Sequence, residues 1–446
     1  MSAMIILGGV GSVLIVVSLW RSTYYLCCGV TMWILALWSN WTILVDKYSY
    51  FQFSSQWLWL WGIFSILLTL VIISWCSFQR GEVNILWLFV LLGTLLILSS
   101  DHWLLVYLGL ELQTLSLFVI VVYPGATVKT TEAGLKFFVL GALSSGLFLF
   151  GILGVFMETG TLWISSSTDC LVNTYSSLWP YSFLICSVFF KLGVAPFHFW
   201  LPDVYQGVSL NNIMLLSTIP KIGAWGVLCK LGVLTGWVVM GALASMIIGA
   251  VGAINQSSLF RLVAYSGIVH MGFIIWPLAY CSSYGLLISS VYLMIYSLSV
   301  VLWMGPLSSL SFHKWNLIEL AGVYKKNSAL GLTQVFTLFS LAGVPPLLGF
   351  FVKWWVIQQA ISESYLFLAL FSIVVTVIGA IYYLRVIKIL IFQRGSNFVS
   401  WKLALCPPRG FSLIQCLAVG VILYAVLGFI INPFPVLYVS QWFVNF

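Results

Sequence analysis

Apolar runs of about 20 residues, the length of a helix that crosses a bilayer, recur along the whole chain of 446 residues. Approximate spans are 3–20, 25–44, 57–77, 84–100, 103–123, 133–156, 180–200, 209–229, 235–254, 259–278, 283–305, 329–360, 365–391 and 412–431. The expected fold is therefore an all-α polytopic membrane protein with about fourteen transmembrane helices. Charged residues make up only 6% of the chain and hydrophobic ones 62%, too few charges to cover a soluble surface, so lipid is the solvent of most of the exterior. The first run, MIILGGVGSVLIVVSLW, lacks a basic leader and reads as a span rather than a removed signal. The nine cysteines include the adjacent Cys27 and Cys28 but no CxxC, and read as small core hydrophobes.

The net charge of +8 follows from topology and gives no reason to expect nucleic acid. Odd-numbered loops hold twelve Lys and Arg, whereas even-numbered loops hold only Lys47 and Lys230. Basic loops face the cytoplasm or the mitochondrial matrix, so both termini are expected on the opposite side. No polar stretch is long enough to bury a core of its own. The one around 306–328 has room for a short surface helix.

Two spans are interrupted. The seventh contains FFKLGVAPFHFW and the twelfth LFSLAGVPPLLGFFVKWW. Proline removes a backbone donor and clashes with the preceding turn, so each helix should open near its middle. Matching interruptions in two halves point to inverted repeats with an ion site at their interface. Aligning Pro196 with Pro345 gives repeats over spans four to eight and nine to thirteen, and places Ser340 opposite Lys191. The chain then divides into 1–80 with three spans, repeats at 81–233 and 234–395, and 396–446 with the last loop and span.

Five charges within the apolar runs stand out, leaving aside Arg261, Arg385 and Lys388 towards the run ends, which count with the odd-numbered loops: Glu111, Lys136, Lys191, Lys221 and Lys353. A charge in hydrocarbon is expensive and marks an ion path by default. Burial penalises the charged form of an amine, so Lys191, Lys221 and Lys353 are candidates to release and regain a proton. Each lies near a helix-distorting proline: Pro196, Pro220 or the Pro345–Pro346 pair. Glu111 is the one carboxylate deep in a span, either half of a working Lys–Glu pair or a structural ion pair. Lys136 lies near a span end, where it can snorkel or pair with Glu111. His198 and His270 are candidate proton shuttles, with satisfied core histidines as the plain alternative. Asp203 follows span seven and suits a helix cap. The sequence carries no phosphate loop, dinucleotide fingerprint or haem or iron–sulfur spacing, so its energy must come from an ion gradient or a partner.

From the glutamate span to the second break, the strings YLGLELQTLSLFVIVVY, EAGLKFFVLGALSSGLFLFG, FKLGVAPFHFWLPDVYQG, LFRLVAYSGIVHMGF and LAGVPPLLGFFVKWW run in one order over roughly residues 103–355. In that combination the chain resembles the antiporter-like membrane subunits of respiratory complex I, within them the subunit 2 branch. The resemblance implies that Glu111 and Lys136 form the glutamate–lysine pair, that Lys191 and Lys221 lie on a central hydrophilic axis, and that Lys353 is the terminal lysine. It implies a proton-translocating role driven by quinone reduction in other subunits. No cofactor is expected in this chain, whereas FMN, iron–sulfur clusters and ubiquinone belong to partner subunits. Partners would be the other membrane-arm subunits, including an adjacent antiporter-like one, and lipids. GVSLNN departs from the AP-rich stretch that relatives often carry before span eight. A mitochondrial inner membrane or a bacterial plasma membrane fits. The rival readings are an Mrp-type sodium/proton antiporter subunit and a purely structural spacer.

Overall fold

A computed structural model of the chain describes residues 56–75, 81–123, 127–164, 178–231, 235–308, 310, 316–345, 347–393 and 413–428. Spans 3–20 and 25–44, His313 and Pro346 lie outside them. So do Arg21, Lys47, Arg80, Lys314, Arg394, Lys402 and Arg409 among the basic loop residues. Regular structure among the described residues is helical, with two isolated β-bridges. The longer helices are α1 (Gln56–Trp75), α2 (Gly81–Ser99), α3 (Trp103–Val122), α4 (Val128–Thr159), α5 (Leu178–Leu192), α6 (Trp200–Gly207), α7 (Leu210–Leu231), α8 (Thr235–Ile254) and α9 (Leu259–Ile275). After a 3-10 turn at Trp276–Tyr280 come α10 (Ser283–Leu307), a second 3-10 turn at Leu317–Leu320, and the short α11 (Val323–Lys326). Then follow α12 (Ser328–Ala342), α13 (Leu348–Ser362), α14 (Leu366–Phe392) and α15 (Leu413–Gly428). Eight helices among the described residues are long and apolar enough to cross a membrane, and the halves of the interrupted spans add shorter apolar pieces.

Local chemistry sets the helix ends. Thr127 and Thr130 exchange side-chain and backbone hydrogen bonds in a capping box that starts α4, and Asn327 Oδ1 accepts from Leu330 N at 3.2 Å to start α12. Both interrupted spans stop at a glycine in the left-handed region, Gly193 (φ 72°) after α5 and Gly343 (φ 84°) after α12. Gly343 N donates to Phe339 O and Ser340 O, and Val344 N donates to Phe339 O, which is the Schellman pattern. Aligning the two breaks on these glycines, rather than on Pro196 and Pro345, sets Leu341 in place of Ser340 against Lys191.

The chain forms two compact units. The first comprises Met1–Lys191 and Thr218–Leu231. Within it α2 and α3 touch through glycines: a Cβ on Gly109 would lie 3.1 Å from Gly93 O, and one on Gly93 would lie 2.8 Å from Gly109 O. Small residues let helix backbones approach in this way where hydrocarbon supplies no hydrophobic drive to associate. Trp61, Trp87, Trp103 and Trp225 are also fully buried in this unit, with the Trp61 and Trp225 rings 4.9 Å apart.

The second unit comprises Leu192–Ser217 and Gly232–Phe446. Its buried serines satisfy themselves along the helix: Ser290 Oγ donates to Leu287 O at 2.7 Å, and Ser299 Oγ to Tyr296 O at 2.8 Å. Among the described cysteines, Cys281 and Cys416 are exposed, so the core assignment fails for those two.

The glycine seam generates a test. Gly109→Val should cost about 1–3 kcal/mol through overpacking, read as a lower unfolding midpoint of the purified protein. Gly146→Val, whose Cβ meets nothing within 4 Å, should leave that midpoint unchanged.

Candidate functional site

The second unit holds the more complete arrangement. Lys353, on the second turn of α13, is buried in protein. Its Nζ donates to Leu341 O at 2.8 Å and Ala342 O at 3.0 Å, the last carbonyls of α12. Those carbonyls have no partner within the helix, and they form the negative end of its dipole. The interruption therefore turns a helix terminus into a cation seat at membrane depth. A Cβ on Gly343 would lie 3.1 Å from that Nζ, so the glycine serves both the turn and the amine.

Beside Lys353 lies a cavity of about 20 Å³, lined by His270, Tyr292, Tyr296, Ser299 and Ser340 among others. That volume admits roughly one water. His270 is buried, with Nδ1 3.1 Å from the Tyr292 hydroxyl and Nε2 3.0 Å from the Tyr383 hydroxyl. A neutral imidazole donates through one nitrogen and accepts through the other, and the two phenols can do either. The string Tyr292–His270–Tyr383 can thus invert its hydrogen bonds in concert, as a proton relay requires. Tyr296 stacks at a tilt 5.3 Å from the His270 ring. Lys353 and His270, both singled out from sequence, come together here. The three tyrosines were missed: aromatics abound in this chain, and these are spread over two distant helices, α10 and α14.

His198 is buried on the turn between α5 and α6 and does not line the cavity. Asp203 corrects the sequence reading. It lies inside α6 and accepts from Arg261 Nη2 of α9 at 3.1 Å, so it joins two helices instead of capping one. The span continues past the break for two more turns, which the polar string PDVYQG concealed.

In the first unit Glu111 on α3 is half-buried, with Oε1 enclosed and lacking a hydrogen-bond partner. Tyr107 lies one turn before it on the same helix, and Lys191 is the penultimate residue of α5. Lys221 is fully buried on α7, which runs unbroken through Pro220. Lys136 is different: it is exposed on α4 and pairs with Glu132 at 2.7 Å, one turn away. The i,i+4 spacing puts the Glu132 carboxylate within reach of the Lys136 amine on the same helix face. Sequence reading also placed Lys230 in a loop. It ends α7 instead, its Nζ donating to Ile97 O at 2.6 Å and to Ser100 O at the end of α2. A lysine on helix-terminal carbonyls thus occurs in each unit.

Two left-handed glycines separate strain from displacement. Gly160→Ala meets open space and should cost only the left-handed backbone, about 1–2 kcal/mol. Gly343→Ala also brings its Cβ to 3.0 Å from Lys353 Cδ and 3.1 Å from Nζ, so the amine must shift slightly on its carbonyls and the unfolding midpoint should fall further. Equal shifts would show that the amine's seat contributes nothing.

Residues 100–379 match the family model described as NADH:quinone oxidoreductase/Mrp antiporter, TM. The chain is 36% identical to NADH-ubiquinone oxidoreductase chain 2 of Metridium senile, over 81% of this chain and 97% of that one. It is 37% identical to NADH-quinone oxidoreductase subunit N of Acidithiobacillus ferrooxidans, over 71% of this chain and 69% of that one. Among solved structures it superimposes on a chain of respiratory complex I from Thermus thermophilus with a TM-score of 0.79 and 26% identity, covering 95% and 97% of the two chains. A chain of the Mrp complex from Dietzia gives a TM-score of 0.83 at 17% identity, covering 97% and 93%, a likeness of fold alone. With more than half its length matched, the chain belongs to the NADH:quinone oxidoreductase/Mrp antiporter family of membrane subunits.

Proposed function

We propose that this chain is a proton-translocating membrane-arm subunit of NADH:ubiquinone oxidoreductase, driven by quinone reduction in other subunits. The observation that carries the reading is the Lys353 amine, held on the ending carbonyls of a half-helix beside a small cavity and a His–Tyr string. As an ammonium, Lys353 is attracted to those carbonyls. Once its proton leaves, that attraction weakens and the lone pair becomes free to take the next proton from water or from the His270 string. Charge on the amine is therefore tied to its position, which is what coupling to a distant event requires. In the other unit Glu111 plays the complementary part: its negative charge favours a protonated Lys191, and withdrawing that influence favours release. Lys221 extends the path there. Lys136, His198 and the order of the steps belong to the same proposal.

The reaction is a translocation, and the redox chemistry belongs to partners carrying FMN, iron–sulfur clusters and ubiquinone. The other membrane-arm subunits, including an adjacent antiporter-like one, and lipids complete the surroundings. The membrane is the mitochondrial inner membrane, or the plasma membrane if the source is bacterial, with odd-numbered loops on the matrix or cytoplasmic side. The Mrp-type antiporter is the second reading. It rests on fold likeness at 17% identity, against relatives of the oxidoreductase at 36% and 37%.

Lys353→Ala and Lys191→Ala, introduced into the assembled complex, should each lower proton pumping linked to NADH:quinone turnover about tenfold or more, equivalent to ~1.4 kcal/mol on the barrier. Assembly, judged by flavin and iron–sulfur content, should be kept. Full coupled pumping in either variant contradicts the proposal. A redox-free assembly that exchanges sodium for protons selects the antiporter.

A further inference from the structure

We infer that Arg385 is a positioning residue for the His270–Tyr383 hydrogen bond, acting as a clasp between the helices that carry the two rings. The inference rests on the proton-path reading above and concerns how its hydrogen bonds are held in place. Arg385 lies on α14, two residues after Tyr383, and its Nη1 donates to Ile254 O, the last carbonyl of α8, at 3.0 Å. A cation suits that end of a helix, where carbonyls lack partners and the dipole is negative. The two preceding carbonyls are already taken. Gln256 donates to Gly252 O through Nε2 at 3.0 Å and to Ala253 O through its backbone N at 3.4 Å. The arginine completes the pairing of the last three.

From there the contacts close a circuit. A Cβ on Gly249 of α8 would lie 2.9 Å from Tyr265 O and 2.9 Å from Val269 N, so α8 touches the α9 backbone at the residue before His270. His270 Nε2 stands 3.0 Å from the Tyr383 hydroxyl, which leads back to α14 and Arg385. Without the clasp, α14 can shift against α8 and α9, and the bond that such a shift lengthens is the one between His270 and Tyr383.

The same device occurs in the first unit, which argues against an accident of one surface side chain. Lys230, near the end of α7, donates to Ile97 O and Ser100 O at the end of α2. In the repeats expected from sequence, α2 and α7 are the first and last spans of one, and α8 and α14 those of the other. The bonded residues are 133 and 130 positions apart in the first case and 131 in the second. The plain alternative is that Arg385 is only a basic residue at a span end, set there by membrane orientation. Lys388, exposed one turn further along α14, supplies the same charge and serves as the control.

The test uses the assembled complex in proteoliposomes, with Arg385→Met, Arg385→Lys, Lys388→Met, Tyr383→Phe, the double variant Arg385→Met with Tyr383→Phe, and Lys353→Ala. Arg385→Met should slow pumping linked to NADH:quinone turnover about tenfold, within the range that a misplaced group loses. If it fails to assemble, Arg385→Gln, which keeps a donor but loses charge and reach, is read in its place. Arg385→Lys should recover most of the rate, since Lys230 makes this contact with an amine. Lys388→Met should pump normally. The double variant should be no slower than Tyr383→Phe, because both changes act on one hydrogen bond. Normal pumping in Arg385→Met beside a slow Tyr383→Phe overturns the inference and leaves the proton-path reading standing. A slow Lys388→Met overturns it by showing that charge alone matters. Effects of Arg385→Met and Tyr383→Phe that multiply overturn it by showing a general loss of structure. Normal pumping in Tyr383→Phe overturns it too, and normal pumping in Lys353→Ala removes the reading beneath it as well.

Discussion

A lysine ammonium seated on the unpaired carbonyls of a helix end is the interaction on which the second unit depends. A charge at membrane depth is tolerated only when something polar meets it. Here backbone, not a carboxylate, provides that: Lys353 takes the carbonyls of Leu341 and Ala342. The carbonyls are available because Gly343 ends α12 in a left-handed turn. A partial charge of fixed position suits a group that must lose and regain its proton, because it holds the cation without locking it as a buried carboxylate would. Lys230 repeats the device on α2, where the helix ends at the corner leading to α3 and Glu111.

Much of this was legible from sequence, for specific reasons. Spans declare themselves by length, and the boundaries of α7, α10 and α14 fall within a few residues of the apolar runs. The breaks at Gly193 and Gly343 were announced by proline. Lys221, Lys353 and His270 stood out because a charge or imidazole amid apolar residues has few harmless explanations. What failed did so because a membrane erases amphipathic contrast. Lipid-facing and core-facing residues are equally apolar, so no periodicity revealed that Lys136 faces outward on α4 while Lys221 faces inward on α7. Nor did it single out Tyr292, Tyr296 and Tyr383 among the 20 tyrosines of the chain. The apolar run ends near residue 200 because Asp203 is polar, yet α6 continues to Gly207 and Asp203 pairs with Arg261.

The two units solve the same problem differently. The first carries a half-buried acid, Glu111 on α3, and an amine, Lys191, near the end of α5. The second seats its amine on backbone, beside a cavity lined by tyrosine and serine hydroxyls and the His270 imidazole. Under the proposed function, the first design suits a place where charge alters a proton's affinity, and the second suits a place where a proton passes along hydroxyls and imidazole.

A density map of the intact assembly that shows ordered water tests the central claim most directly. The account predicts solvent in contact with Lys353 and His270 in one unit and with Glu111 Oε1 in the other, enclosed by protein. A map with those groups dry, or with the amines turned outward among acyl chains, would contradict it.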